Sequence, residues 1–291
     1  MKAVSDISSR DKPDHILALW ALPSGYWARS AFRKYDIPYS TWALGSDIWT
    51  LGRIPLIRNT LKNVIKSGRF SFADGYQLAN DVEKLSGLEC RFLASARTMP
   101  KLTQKRPNKV PPFKLAFLGR WHPNKGIDLL LDALLLLQDR DWENIQEVRI
   151  CGGGPLENQV SLQVDKLRDE KRPVTLAGYL DKVQAHELFT WADYVLLPSR
   201  IESIPVVFSD ALSCLCPLIA TPVGDLPTLV RDNNVGVLAQ QVSAPAIADA
   251  IRTAMRRSPN QYEEQIIKCL KIFDLESVVT QLLDTLSRTA S

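Results

Sequence analysis

No stretch of this 291-residue chain is apolar for long enough to cross a bilayer as a helix. The longest apolar run, Ile127 to Leu137, covers eleven positions and is broken by Asp128 and Asp132. A crossing needs about 20 apolar residues, so this run reads as a buried helix. The opening residues, MKAVSDISSRDKPD, have no apolar core of the kind a secretion signal carries. Cysteine is sparse, five residues far apart, and the three histidines stand at no metal-ligand spacing from them. That excludes a disulfide scaffold and points to a reducing cytoplasm. Cys214 and Cys216 form a C-x-C, but nothing is spaced to complete a tetrahedral site, so both read as small buried side chains. A GxGxxG turn is missing as well, which removes the dinucleotide oxidoreductases. The 45% hydrophobic and 23% charged residues exclude disorder and fibrous repeats. At roughly 100–200 residues per domain, the length suggests two domains.

Acidic residues are absent between Asp47 and Asp74, while Arg53, Arg58, Lys62, Lys66 and Arg69 fall there. Residues 1–110 hold 18 Lys+Arg against 9 Asp+Glu, a balance of +9, and residues 111–291 hold 18 against 23, a balance of −5; together they make the net +4. Halves of opposite charge face different partners. Arg58, Lys62 and Lys66 recur every four residues and share one face of a helix, with Leu56, Ile57, Leu61, Val64 and Ile65 on the other. Such a helix either lies against anionic lipid headgroups or presents a solvated face over a buried one.

Short apolar runs alternate with helical periodicity throughout, the pattern of βαβ units and a parallel sheet. Strands are predicted at 16–20, 39–44, 71–73 and 90–93, with helices at 25–34, 56–66 and 76–86 between them. Pro100, Pro107, Pro111 and Pro112, with four basic residues among them, mark an interdomain linker over 99–112. A second series begins at Phe113, with strands at 115–118, 147–151, 174–177, 194–198, 218–221 and 236–238. Its helices are predicted at 125–137, 155–168, 182–191, 205–214 and 244–256. Six strands with such connections make a complete doubly wound domain. The first part has about four strands and opens almost directly on one, so it is expected to lack the front of its domain.

In open parallel sheets, ligands bind beyond the carboxyl ends of the strands. Three strand-to-helix loops of the second domain are unusual. Gly119-Arg120-Trp121-His122-Pro123-Asn124-Lys125-Gly126 presents two cations beside a helix N-terminus, an attractor for a diphosphate. Cys151-Gly152-Gly153-Gly154-Pro155 lets a phosphate or ribose approach the backbone, and Pro155 suits a first helical position. Ser199-Arg200-Ile201-Glu202-Ser203-Ile204-Pro205 places Glu202 at the mouth and backbone amides at a helix start. Asp210 follows eight positions later, near the same face. Two such carboxylates could accept hydrogen bonds from sugar and ribose hydroxyls. Together the loops suit a nucleotide sugar.

The pieces GRWHPNKG, ICGGGPLE, VTLAGYL, WADYVLLPS, ESIPVVFSDAL and CPLIATPVGDLP resemble the donor domain of the retaining glycosyltransferases of family 4 (glycosyl transferases group 1). WALPSGYWA and IPYSTWALGSDIW resemble the later part of that family's acceptor domain. ESIPVVFSDAL is similar to the family's E-x7-E motif with Asp210 in the second place, and Leu44 stands where many relatives carry a histidine. The resemblance implies an α/β chain of GT-B type, two Rossmann-like parallel-sheet domains facing a cleft, the first incomplete. The implied boundaries are 1–98 for the acceptor-side domain, 99–112 for the linker and 113–272 for the donor domain. A helix within 273–291 returns to the first domain, with Leu275, Val278, Val279, Leu282, Leu283 and Leu286 buried.

Carried over, Arg120, Lys125 and Glu202 are the expected catalytic residues, the two cations on the diphosphate and Glu202 on the donor sugar. Gly119, Gly152, Gly153, Gly154, Gly178, Tyr179, Ser203, Ile204, Pro205, Val206 and Asp210 would line the donor pocket. Ser24, Gly25, Ser46 and Asp47 would sit on the acceptor side. The implied reaction is transfer with retention from a UDP-, GDP- or ADP-linked sugar to a lipid-linked or cell-envelope glycan, with no metal and no further cofactor. Expected partners are that nucleotide sugar, the glycan or lipid-linked acceptor and an anionic membrane surface met by Arg53, Arg58, Lys62, Lys66 and Arg69. No nucleic acid is expected. The implied location is cytoplasmic, peripheral on the inner face of the plasma membrane. The alternative is a truncated or degenerate relative that binds nucleotide without turnover, or that needs a separate chain to complete its acceptor domain.

Overall fold

The computed structural model describes residues 12–96, 108 and 110–287. The chain divides into two compact units, Met1–Ala96 with Glu276–Ser291, and Arg97–Leu275. The linker expected at 99–112 lies mostly outside the described residues.

The first unit is built on β1 (Ile16–Leu19), α1 (Ser24–Tyr35), β2 (Tyr39–Ala43), α2 (Ser46–Trp49), α3 (Pro55–Ser67), β3 (Phe70–Ala73), α4 (Tyr76–Ser86) and β4 (Arg91–Phe92). The strands pair in parallel in the order β1-β2-β3-β4. Local chemistry sets the helix ends. Asp36 turns left-handed at φ 55 and donates its N–H to Phe32, closing α1, and Gly87 at φ 75 does the same for α4. Pro55 opens α3, where its missing N–H costs nothing. Tyr39, Leu61, Val64, Ile65, Leu78 and Val82 form the centre of one apolar cluster. Each large aliphatic side chain buried there contributes about 1.5–3 kcal/mol.

On α3 the apolar face is narrower than its sequence suggests. Leu61, Val64 and Ile65 are buried and Ile57 is half-buried, but Leu56 is 84% exposed. At 3.6 residues per turn, five positions back from Leu61 is about 140° around the helix, off the buried arc.

The second unit runs through β5 (Phe113–Arg120), α5 (Ile127–Leu135), α6 (Asp139–Trp142), β6 (Ile145–Gly153), α7 (Glu157–Asp169), β7 (Val174–Ala177), α8 (Lys182–Trp191), β8 (Tyr194–Leu197), α9 (Val206–Ser213), β9 (Leu218–Ala220), β10 (Gly236–Leu238), α10 (Ala244–Met255) and α11 (Glu263–Leu270). All strand pairs are parallel, in the order β10-β9-β8-β5-β6-β7. The chain builds outward from β5 to β7, then returns to the other side of β5 for β8. The order therefore reverses between β5 and β8, the switch point where open α/β sheets bind ligands. All four residues of β8 are buried, as a central parallel strand covered on both faces requires. Asp181 and Gln184 close a reciprocal capping box on α8, and Ser243 caps α10.

Two expectations differ here. The helix predicted from Lys125 is interrupted: Pro123–Lys125 is a single 3-10 turn, and α5 begins only after Gly126 at φ 67. The last helix, α12 (Leu275–Ser287), buries Val278 and Thr285, while Leu275, Val279 and Leu283 are exposed. Its apolar residues spread around more of the helix than one contact can cover. Gln281 Nε2 ties it to the carbonyl of Phe92 in β4 at 3.0 Å. No helix among the described residues is long and apolar enough to cross a membrane.

Candidate functional site

The loops after β5 and β8 carry the central pair. Lys125 Nζ lies 2.5 Å from Glu202 Oε2, and Ser199 Oγ donates to the same oxygen at 3.3 Å. Glu202 keeps 13% of its side chain exposed, and its other oxygen has no partner among the described residues. That oxygen can accept a hydroxyl proton from a ligand while the first stays anchored.

Several groups hold this pair in place. His122 Nδ1 accepts from Asn124 N at 3.2 Å and caps the turn that ends in Lys125. Arg200 forms a two-pronged bond to Asp128, at 2.7 Å to each oxygen, and donates to the carbonyl of Pro123 at 2.6 Å. Its backbone N–H reaches Asn124 O at 2.8 Å. One guanidinium thus clamps the β5 loop, the start of α5 and the β8 loop together. Burial pushes the Asp128 carboxyl up, but the hydrogen bond and charge of Arg200 outweigh it and hold the group below its ordinary value. The bond to Asp128 in turn raises Arg200.

Glycines let these loops touch. A Cβ on Gly126 would stand 1.8 Å from the carbonyl oxygen of Pro198, and one on Gly224, at φ 53, 2.1 Å from that of Glu202. Gly152 and Gly154 back onto Gly119 and Trp121 in the same way, and Gly153 lies under the Tyr179 ring. Trp121 N donates to Gly153 O at 2.8 Å and Gly152 N to Gly178 O at 3.0 Å. The expected residues Gly119, Gly152, Gly153, Gly154, Gly178 and Tyr179 therefore form one continuous wall at the carboxyl ends of β5, β6 and β7. Arg120 ends β5 beside Gly153 with its side chain exposed, and Tyr179 is exposed as well.

Ser203, Ile204 and Pro205 are buried and lead into α9, whose first residue is Val206, 41% exposed. Asp210 is half-buried on α9, and its backbone carbonyl accepts from Ser213. Sequence reasoning placed Gly126 and Arg200 in these loops and Gly224 in a motif without giving any of them a role, and it missed Asp128 as part of this site. Gly224 lies inside the motif CPLIATPVGDLP, so its place in the pattern was the available signal.

In the first unit, Ser24 opens α1 after β1 and Ser46 opens α2 after β2, both at the carboxyl end of the sheet. Ser46 is exposed and Ser24 half-buried. Gly25 and Asp47 are both buried. A Cβ on Gly25 would sit 2.7 Å from Val64 Cγ1, so glycine is what lets α1 pack on α3. Asp47 is 1% exposed and accepts from Ala21 N at 2.7 Å and Leu44 N at 3.2 Å. Burial pushes its carboxyl up against the pull of those backbone groups.

Two further features lie outside these loops. His186 is half-buried, with Nδ1 3.2 Å from Cys214 Sγ. Asp139-Arg140-Asp141 forms a D-x-D on α6, at the amino end of β6. Its carboxylates are held by Arg172 and Arg252. All five cysteines are buried and none forms a disulfide, and no cluster of three or more His, Cys, Asp or Glu suited to a metal occurs among the described residues.

Residues 112–257, half of the chain, match the family described as glycosyl transferases group 1. The chain belongs to this family. D-inositol 3-phosphate glycosyltransferase of Corynebacterium aurimucosum is 31% identical over 173 residues, 58% of this chain and 41% of that protein. The putative teichuronic acid biosynthesis glycosyltransferase TuaC of Bacillus subtilis is 26% identical over 254 residues, 82% of this chain and 60% of that one. The match spans less than two thirds of either relative. Among solved structures, Anabaena Alr3699/HepE in complex with UDP superposes with a TM-score of 0.79 at 17% identity, over 98% of this chain and 81% of that one. Sucrose-phosphate synthase of Thermosynechococcus elongatus gives 0.76 at 17% identity, over 98% and 76%. The fold of the chain is α/β of GT-B type, with two parallel-sheet domains.

Proposed function

We propose that this glycosyltransferase is a retaining, metal-independent member of family 4 that moves a sugar from a nucleoside diphosphate to a lipid-linked or cell-envelope glycan. The observation that carries the reading is the Lys125–Glu202 pair at the β5/β8 switch point, beside a glycine wall open to a nucleotide. In this reading Lys125 and Arg120 receive the charge that grows on the departing diphosphate, helped by the amides at the start of α9. The bond from the anomeric carbon to the phosphate oxygen breaks with its electron pair going to that oxygen. The acceptor hydroxyl bonds to the same face of the carbon, and its proton passes to the leaving phosphate. Glu202 holds donor-sugar hydroxyls through its free oxygen, and Asp210 the ribose. A solved structure of similar fold, Anabaena Alr3699/HepE, is a complex with UDP-glucose, which supports a nucleotide-sugar donor here.

Exposed Arg53, Arg58, Lys62, Lys66 and Arg69, with Ile54 and Leu56 exposed among them, support an anionic membrane surface as the place of the acceptor. The B. subtilis relative is named for teichuronic acid biosynthesis, which agrees with a cell-envelope acceptor.

The first test is a thermal shift of the purified chain with UDP, GDP, ADP and their sugar conjugates, with Arg120→Ala/Lys125→Ala as control. A ligand at 100 times its dissociation constant adds about 2.7 kcal/mol. A selective shift lost in the double variant supports the donor site and names the nucleotide. Absence of any shift on a folded chain overturns the reading. Leu44, in the place of the histidine common among relatives, favours a second reading: nucleotide binding without turnover, or turnover only with a further chain. It predicts the same thermal shift with no release of nucleotide from any sugar conjugate.

A further inference from the structure

Trp20 is the residue after β1, where the chain leaves the sheet for α1. It adopts a left-handed backbone at φ 67. A bulky L-residue pays for that conformation, whereas glycine or asparagine takes it readily. Three hydrogen bonds fix it: Trp20 N to Trp42 O at 2.9 Å, Gly25 N to Trp20 O at 3.3 Å, and Ala21 N to Asp47 Oδ2 at 2.7 Å. The last uses a carboxylate that is itself buried at a cost. Two unfavourable arrangements thus meet at one turn, at the end of the sheet where parallel α/β units bind ligands.

Packing leaves much of Trp20 uncovered. Trp20 is 46% exposed, and its ring meets no other aromatic ring or cation among the described residues. Its N–H has no partner there either. Hydroxyls stand at the same end of the sheet, on Ser24 at the start of α1 and on Ser46 after β2.

We propose that the Trp20 indole is the stacking platform of an acceptor subsite, and that its ligand is a saccharide in ring form. A pyranose presents an apolar C–H face that a flat aromatic face can cover, while its hydroxyls turn outward to polar groups. The idea rests on the glycosyltransferase reading and narrows it: an acyclic polyol phosphate has no such face to stack. Glycine would serve the turn better, so the ring is kept for what it touches.

The test is saturation-transfer NMR on the full chain with excess UDP present. The probes are methyl β-D-glucopyranoside, methyl β-D-galactopyranoside and methyl N-acetyl-β-D-glucosaminide, with sorbitol as the acyclic control. The wild type should saturate ring C–H protons of at least one glycoside and leave sorbitol unsaturated. Trp20→Gly should lower that transfer at least fivefold while leaving the thermal midpoint equal or higher, because the strain is relieved. Trp20→Phe, which keeps a ring, should retain most of the transfer. Equal transfer in Trp20→Gly, or none from the wild type to any glycoside, overturns the proposal. So does a clear fall in the midpoint of Trp20→Gly, which would mark the ring as packing. Loss of binding to phosphatidylglycerol vesicles in Trp20→Gly with glycoside transfer unchanged would assign the ring to a membrane surface instead. Failure of the donor reading shows separately, as no thermal shift with UDP, GDP or ADP.

Discussion

The ammonium of Lys125 and a carboxylate oxygen of Glu202 stand 2.5 Å apart, joining loops 77 positions apart in the chain. The pair is partly solvated, with 37% of the lysine side chain exposed, so its worth to stability is modest, about 1 kcal/mol or less. In the proposed donor site its worth to a diphosphate would be larger, because the same cation would then face two phosphate groups away from bulk water. Lys125→Ala should therefore lower affinity for the nucleoside diphosphate at least tenfold, about 1.4 kcal/mol. Its urea midpoint should move little. Glu202→Gln should keep nucleotide affinity within a few-fold and slow sugar transfer. Isothermal titration with the nucleotide selected by thermal shift checks both, and equal affinity in wild type and Lys125→Ala would sink the assignment.

The Arg200–Asp128 clamp gives a pH signature. Arg200 holds the folded pKa of Asp128 below its unfolded value of about 3.9, despite burial pushing the other way. A depressed carboxyl contributes stability that is complete above the unfolded value and is lost as pH falls through the folded one. Asp128→Asn should then cost about 1–2 kcal/mol at a constant level from pH 5 to 8. The gap to wild type should close below pH 4. Urea denaturation at half-unit steps from pH 3 to 7 reads this directly, and a gap that widens in acid would contradict it.

Gly224 sets the position of Glu202 through backbone alone. An alanine there would put its Cβ 2.1 Å from the Glu202 carbonyl oxygen and 3.0 Å from that of Ser203, at a φ of 53 that alanine resists. Gly224→Ala should cost about 1–3 kcal/mol by overpacking and displace the β8 loop. Nucleotide-sugar turnover should fall further than stability does. Gly87→Ala, at a similar φ of 75 but with nothing within 4 Å of the added Cβ, is the control. It should lose stability through backbone strain alone and keep its turnover at temperatures where it is folded.

What the sequence shows of this molecule is what local patterning can carry. The strand at Tyr194–Leu197 and the helix at Lys182–Trp191 are legible because burial on two faces and a capping box leave their mark within a few residues. The glycine loop is legible for the same reason. Arg200 and Asp128 are not, because their bond spans 72 positions and neither residue is unusual where it stands. Asp47 is placed on the acceptor side by the resemblance alone, and sequence spacing does not reveal that Ala21 and Leu44 turn their amides toward it. Leu56 reads as buried because an apolar count ignores the 140° that separates it from Leu61.

That exposed Leu56 supplies the last test. Arg53, Arg58, Lys62, Lys66 and Arg69 are all exposed, and residues 48–73 contain no acidic residue. Near an anionic surface each cation contributes about 1 kcal/mol, and burying Leu56 in the headgroup region would add about 1.5–3 kcal/mol. Charge alone predicts binding that vanishes in salt; charge with an inserted side chain predicts a residue of binding that survives. Arg58→Glu/Lys62→Glu/Lys66→Glu should release the chain from phosphatidylglycerol vesicles at any salt concentration. Leu56→Ser should bind at low salt and release when the salt is raised to 0.3 M, where the wild type is partly retained. These substitutions lie on the exposed side of α3, so the thermal midpoint should hold, and co-sedimentation separates the outcomes. Equal retention of all three proteins would mean that this helix presents a solvated face and that the acceptor is met elsewhere.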